Sequence, residues 1–240
     1  HLEAGAPDRA LAVVEALVAA DPASASSKPV RQLRQRTEVR VVRRARAAAD
    51  LAALARSPEP DTRKEVAWTA ASFETPEAEA LLRALLEDAD DGVRRKAAQA
   101  YQRPWLVDLA AADPRLFDVL AARLAGDLVP TVREALALAL AREETARADA
   151  ALAPRLAGPS RDPDVGVRAA IADALTGREA PEVRRALVAA LEDPESVVRA
   201  TALRGLVRLA GSARGFEPDG APAQRAAAVR AWQAWLSGAR

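Results

Sequence analysis

The sequence predicts an all-α fold, an α-solenoid of stacked helical hairpins, and three observations carry that expectation. Half of the 240 residues are apolar while aromatic residues make up only 3%, and alanine alone supplies about a quarter of the chain. Such a composition favours helix and is poor in the residues that suit pleated sheets. A short phrase, an acidic or turn residue followed by Val-Arg and an apolar residue three positions on, recurs five times, which is the signature of a repeat architecture. Prolines also stand at the starts of apolar-periodic stretches, where a first-turn residue has no amide partner to lose.

Residues 1–27 are expected to form one amphipathic helix. Gly5, Ala10, Leu11, Ala16 and Leu17, followed by Asp21-Pro22, resemble the second half of a tetratricopeptide repeat, the alternative being a plain capping helix. On the first reading the partner helix for Leu11 and Val14 lies upstream, and His1 is a processed end or a cut through a longer chain. The next segment, Lys28 to Arg46, holds eight basic residues against one acid, Glu38, in a chain whose overall charge is +1. A helix from about Val30 to Arg56 would bury Val30, Thr37, Val41, Ala45, Ala48 and Ala52. It would carry Arg36, Arg40, Arg43 and Arg44 on a neighbouring arc, a candidate face for an anionic partner or else a solvated one.

Five repeats are then predicted within residues 28–211. The phrase reads Asp61, Thr62 and Arg63 with Val66, then Asp91, Val93 and Arg94 with Ala97, then Asp127, Val132 and Arg133 with Leu136. It continues as Asp164, Val167 and Arg168 with Ile171, and as Asp193, Val198 and Arg199 with Ala202. The arginines lie 31, 39, 35 and 31 residues apart, room for two helices and two turns. First helices are expected at Ala47–Arg56, Pro76–Glu87, Pro114–Gly126, Arg147–Gly158 and Pro181–Leu191, each closed by a Gly, Pro or Asp separator. Second helices carry apolar stripes at helical spacing: Val93, Ala97, Ala100 and Tyr101; Val132, Leu136, Ala139 and Leu140; Val198, Ala202 and Leu206. One stripe per helix is too little to close a globule, so hairpins must stack and the core must run lengthwise. The longest interval, around Gln102 to Val107, marks an inserted turn or helix.

Arg63, Arg94, Arg133, Arg168 and Arg199 sit one turn into each second helix and are expected to form a structural ladder, bonding turn acids or carbonyls of adjacent units. An Asp-rich turn, Val-Arg, then Ala or Leu one turn on resembles the HEAT repeat, including its bacterial branch related to the phycobilisome lyases, over roughly residues 47–211. The resemblance implies a HEAT-like or armadillo-like right-handed superhelix. Its concave side would be lined by second helices. Residues 212–240 are expected to be a loop and a closing helix with Arg225, Ala228, Trp232, Trp235 and Leu236 on one face. Trp232 and Trp235 would cap the last hairpin, as in the closing Trp-x-x-Trp helix that this end resembles, or anchor a partner.

Several chemistries fall away. The only His is residue 1 and there is no Cys, which removes histidine triads, thiol nucleophiles and multi-histidine or thiolate zinc sites. No cofactor and no metal are expected, and cysteine usage leaves the compartment open. The longest apolar run, Leu11 to Ala20, is interrupted by Glu15, so no membrane span is expected. Glu143-Glu144 and Asp90-Asp91 read as caps and solvated charges. Carboxylate-only chemistry stays open, since some helical-repeat DNA glycosylases use an Asp with a Trp and a basic groove, but Trp68 and Trp105 sit in apolar settings and are expected to be packing residues. The leading expectation is a non-enzymatic scaffold, monomeric within something larger, that binds a protein partner. The first alternative is nucleic-acid binding through the Lys28 to Arg46 face with Arg94, Arg95 and Lys96. The second, bilin-lyase-like chromophore handling, is implied by the resemblance alone.

Overall fold

The computed structural model describes residues 7–238. Among them are thirteen α-helices, three short 3-10 turns and no strand. They pack as two units, divided between Leu106 and Val107.

In the first unit, α1 (Pro7–Ala20) packs on α2 (Lys28–Val42) as a hairpin, and α2 packs in turn on α3 (Pro60–Ala70). The predicted helix from Val30 to Arg56 is not continuous. It stops at Val42, and two 3-10 turns, Ala48–Leu51 and Leu54–Arg56, take the place of the expected first helix at Ala47–Arg56. The Asp50 carboxylate accepts the amides of Arg46 and Ala47, which starts a new segment where the long helix would have run on. Ala48, Leu51 and Leu54 recur every three residues and are all buried, the period at which 3-10 side chains line up on one face. Of the predicted stripe, Thr37 and Ala48 are buried, whereas Ala52 is exposed. Glu38 is buried instead, and its charge is met by the Ser57 and Thr62 hydroxyls. The hairpin of α4 (Pro76–Leu85) and α5 (Asp91–Ala100) completes the unit, with α5 packed alongside α3. Thr75 and Asp90 cap these helices by accepting the amides of Ala78 and Val93. The inserted segment is a helix, α6 (Pro104–Ala112), and the division between units falls within it.

The second unit contains α7 (Pro114–Gly126), α8 (Pro130–Ala141), α9 (Ala146–Leu156), α10 (Val165–Ala174), α11 (Pro181–Ala190), α12 (Ser196–Ala210) and α13 (Pro222–Gly238). Two rows emerge from the packing. The second helices follow one another as α8, α10 and α12, and the first helices as α9 and α11, with α13 next in that row. The predicted stripes on α5, α8 and α12 are buried throughout. Small residues set the spacing: a Cβ added to Gly205 would lie 3.2 Å from Thr176 Oγ1 and 3.3 Å from Leu187 Cδ1, so glycine lets α12 come closer than any other residue would.

Candidate functional site

The repeated turn is built around one arginine and one acid. Six residues before each ladder arginine stands Ser57, Asp88, Asp127, Asp162 or Asp193. Each of these side chains accepts the amide two residues on, an Asx or Ser turn that fixes the loop. Their carbonyls accept the Nη1 donors of Arg63, Arg94, Arg133, Arg168 and Arg199 in the same order. The rest of the guanidinium reaches forward. Arg63 clasps Asp88 at 2.7 and 2.8 Å, Arg133 clasps Asp162 at 2.8 and 2.8 Å, and Arg168 clasps Asp193 at 2.7 and 2.9 Å. One carboxylate therefore shapes its own turn and holds the preceding hairpin, and the fork matches it bidentately. The phrase that marks the repeats names this turn acid in two copies, Asp127 and Asp193, and points elsewhere in the other three, to Asp61, Asp91 and Asp164. Asp61 and Asp91 lie in the first turns of their helices, and Asp164 caps α10.

The Arg133–Asp162 and Arg168–Asp193 pairs are buried, with the Arg168 and Asp193 side chains 5% and 2% exposed and Asp162 fully buried, while Arg63 and Asp88 are partly buried. Burial alone would push the Asp162 carboxyl up, but the hydrogen bonds from Arg133 and from the Asp164 amide, with the charges of Arg133 and Arg155, hold it below the ordinary carboxylate range. Asp88 is lowered by the same balance, with Arg63 and the Asp90 amide opposing its burial. The Tyr101 hydroxyl is pushed up by burial and by Glu79, to which it donates a hydrogen bond.

The basic face on α2 is only partly as expected. Arg36 and Arg40 are exposed on the helix, one turn apart. Arg43 and Arg44 lie beyond its end because the helix stops at Val42, and Arg43 is engaged by Glu65 at 2.7 Å. The proposed trio on α5 also separates. Arg94 turns into its repeat turn, while Arg95 is exposed and Lys96 lies over an indole.

That indole corrects a second expectation. Trp68 is no packing residue: it is 52% exposed on α3. The buried side of α3 runs through Thr62, Val66 and Ala70, and two residues along a helix turn through about 200°, so Trp68 faces away from Val66. Lys96 Nζ lies 5.4 Å and the Arg103 guanidinium carbon 5.2 Å from its ring centroid, within cation–π range. Among the described residues neither cation is matched to a carboxylate. Trp105 does pack, half-buried, and donates its indole N–H to the Ala71 carbonyl. At the other end, Trp232 is fully buried and meets Trp235 edge-on at 5.5 Å, with Arg214 over both rings.

Among the described residues no cluster of three or more His, Cys, Asp or Glu is placed to hold a metal, and no helix is long and apolar enough to cross a membrane.

Two rows of helices joined by repeated arginine–aspartate turns define an α-solenoid repeat protein. The HEAT-repeat family profile matches residues 48–141 and 150–223, and the chain belongs to that family. No curated protein sequence matches it. Among solved structures it resembles Escherichia coli YibA, with 21% identity, 75% of this chain and 66% of that one covered, and a TM-score of 0.51. The chain thus spans just under two thirds of YibA's length, and the likeness is one of fold. Human deoxyhypusine hydroxylase, solved in complex with glycerol, aligns at 18% identity over 84% of this chain and 98% of that one, with a TM-score of 0.32, too low to bear on function.

Proposed function

We propose that the chain is a non-enzymatic interaction scaffold whose second-helix surface docks an acidic segment of a protein partner at Trp68, Lys96 and Arg103. The observation that carries this reading is an exposed indole on α3 flanked by two cations that no carboxylate neutralises among the described residues. A large amphipathic ring beside guanidinium and ammonium groups is the composition of interface hot spots, and the uncompensated charge favours acidic partners. Membership of a repeat family with extended surfaces supports the same reading.

A second reading, binding to a polyanion such as duplex DNA, draws on Arg36, Arg40 and Arg44, which are exposed.

The test is titration of the full chain with a deca-glutamate peptide carrying one leucine. Binding is expected to weaken at least tenfold in Trp68→Ala, with the thermal midpoint unchanged because the side chain is already half in solvent. An aromatic photo-crosslinking residue at position 68, which keeps a ring in place of the indole, should then capture proteins carrying acidic segments, and one at the exposed Asp118 on α7 should not. Equal capture at both positions, or substrate turnover by the pure chain, overturns the proposal. Binding to duplex DNA that falls by roughly 0.9 log units per log unit of salt for each phosphate neutralised, and is abolished by Arg36→Ala with Arg40→Ala, supports the second reading.

A further inference from the structure

The ladder has a last rung, and it is built differently. Arg199 is 6% exposed and uses Nη1 as its predecessors do, donating to the Asp193 and Pro194 carbonyls at 2.8 and 2.7 Å. Its forward side meets no carboxylate at hydrogen-bond distance among the described residues. Nε donates to the Pro218 carbonyl at 2.7 Å, and Nη2 stands 3.7 Å from Asp219, whose side chain is 83% exposed. In the rungs of Arg63, Arg133 and Arg168 the same two nitrogens hold a carboxylate at 2.7–2.9 Å. A buried guanidinium with only a distant, solvated acid is under-neutralised.

Beside it is a cavity of about 160 Å³ lined by Arg199, Arg225, Leu191, Pro222, Ala226 and Val229. Arg225 is half-buried and commits Nη1 to the Gly220 carbonyl at 2.6 Å, leaving its other donors. Of the acids at the rim, Asp193 is already engaged by Arg168 and by the Glu195 amide, and Glu192 is exposed.

We infer that this cavity is a carboxylate-binding site, in which a ligand's carboxylate takes the place that a turn aspartate holds in the earlier rungs, bridging Arg199 Nη2 and Arg225. The walls formed by Leu191, Ala226 and Val229 take a short aliphatic tail. Two sources share this chemistry: a small free carboxylic acid and the C-terminus of a peptide.

Calorimetric titration of the full chain with propionate, with propionamide, and with a short alanine peptide in free-acid and amidated forms separates them. Propionate is expected to bind with a dissociation constant on the order of 1 mM, fitting for so small a ligand, and propionamide not to bind. Tighter binding of the free-acid peptide than of propionate identifies a chain terminus as the ligand, and binding of propionate alone identifies a free acid. Arg225→Gln should weaken binding at least tenfold while leaving the ligand-free thermal midpoint in place, which a purely structural arginine would not do. The inference is overturned if propionate and propionamide bind alike, if no carboxylate binds, if inorganic phosphate alone binds, or if Arg225→Gln binds as well as the parent chain.

Discussion

Asp162→Ala should destabilise the second unit by about 3–5 kcal/mol, the cost of removing one member of a buried ion pair. The carboxylate is fully buried and accepts donors from Arg133 at 2.8 and 2.8 Å, from Arg155 at 3.2 Å and from the Asp164 amide at 3.0 Å. Its removal loosens the turn and leaves the Arg133 fork, itself only 7% exposed, facing a void. Urea denaturation followed by circular dichroism measures the loss. The pH profile gives an independent check. Because the folded Asp162 and Asp88 carboxyls lie below their ordinary value of 3.8, their contribution is complete above the unfolded pKa and is lost as pH falls through the folded one. Stability should therefore be flat near neutrality and drop below about pH 4, the unfolded carboxylate range, and Asp162→Asn should drop less steeply. A profile that stays level through that range would contradict the ladder's electrostatics.

Trp232→Ala should cost about 3–5 kcal/mol, the range for truncating a buried aromatic side chain. Trp232 is fully buried on α13, which packs on α11 as the next first helix of the row would. Without it the outer face of α11 loses its cover. In a repeat architecture the damage should stay local: hydrogen exchange should quicken in α11 and α13 and change little in α7 and α8. Trp232→Phe distinguishes packing from hydrogen bonding. The indole N–H is buried with no acceptor among the described residues, so phenylalanine deletes an unsatisfied donor as well as volume, and its cost should be well below that of alanine. A loss in Trp232→Phe equal to that in Trp232→Ala would argue against this account of the cap.

The helices that open with proline were legible in the sequence because their local chemistry and their packing agree. Helix α7 starts and ends where Pro114 and Gly126 place it, and the stripes on α5, α8 and α12 are buried as their spacing requires. The segment after Val42 departs from the helix its sequence predicts, because arginine and alanine favour helix strongly and nothing in an averaged propensity registers Asp50 reaching back to two amides. The three-residue recurrence of Ala48, Leu51 and Leu54 was the available signal. The ladder arginines are legible from their own recurrence, whereas of the clasped acids Asp88, Asp162 and Asp193 only Asp193 stands in the repeat phrase, because each partner comes from the following turn. Its signature is the constant offset of six residues, which serine at 57 obscures in the first copy. The apolar company of Val66, Ala67 and Ala70 suggests packing for Trp68, although its angular distance from Val66 places it on the opposite side of α3.

The most direct test of the ladder as the coupling between hairpins is a double-mutant cycle on Arg168 and Asp193, which lie 25 residues apart in sequence and meet at 2.7 and 2.9 Å. With Arg168→Met and Asp193→Asn measured singly and together by urea denaturation, the account expects each single change to be costly and the pair to cost less than their sum by about 1 kcal/mol or more, within the range for directly coupled residues. Losses that add to within about 0.5 kcal/mol, the range for independent sites, would show that the hairpins are joined by apolar packing alone and would contradict it.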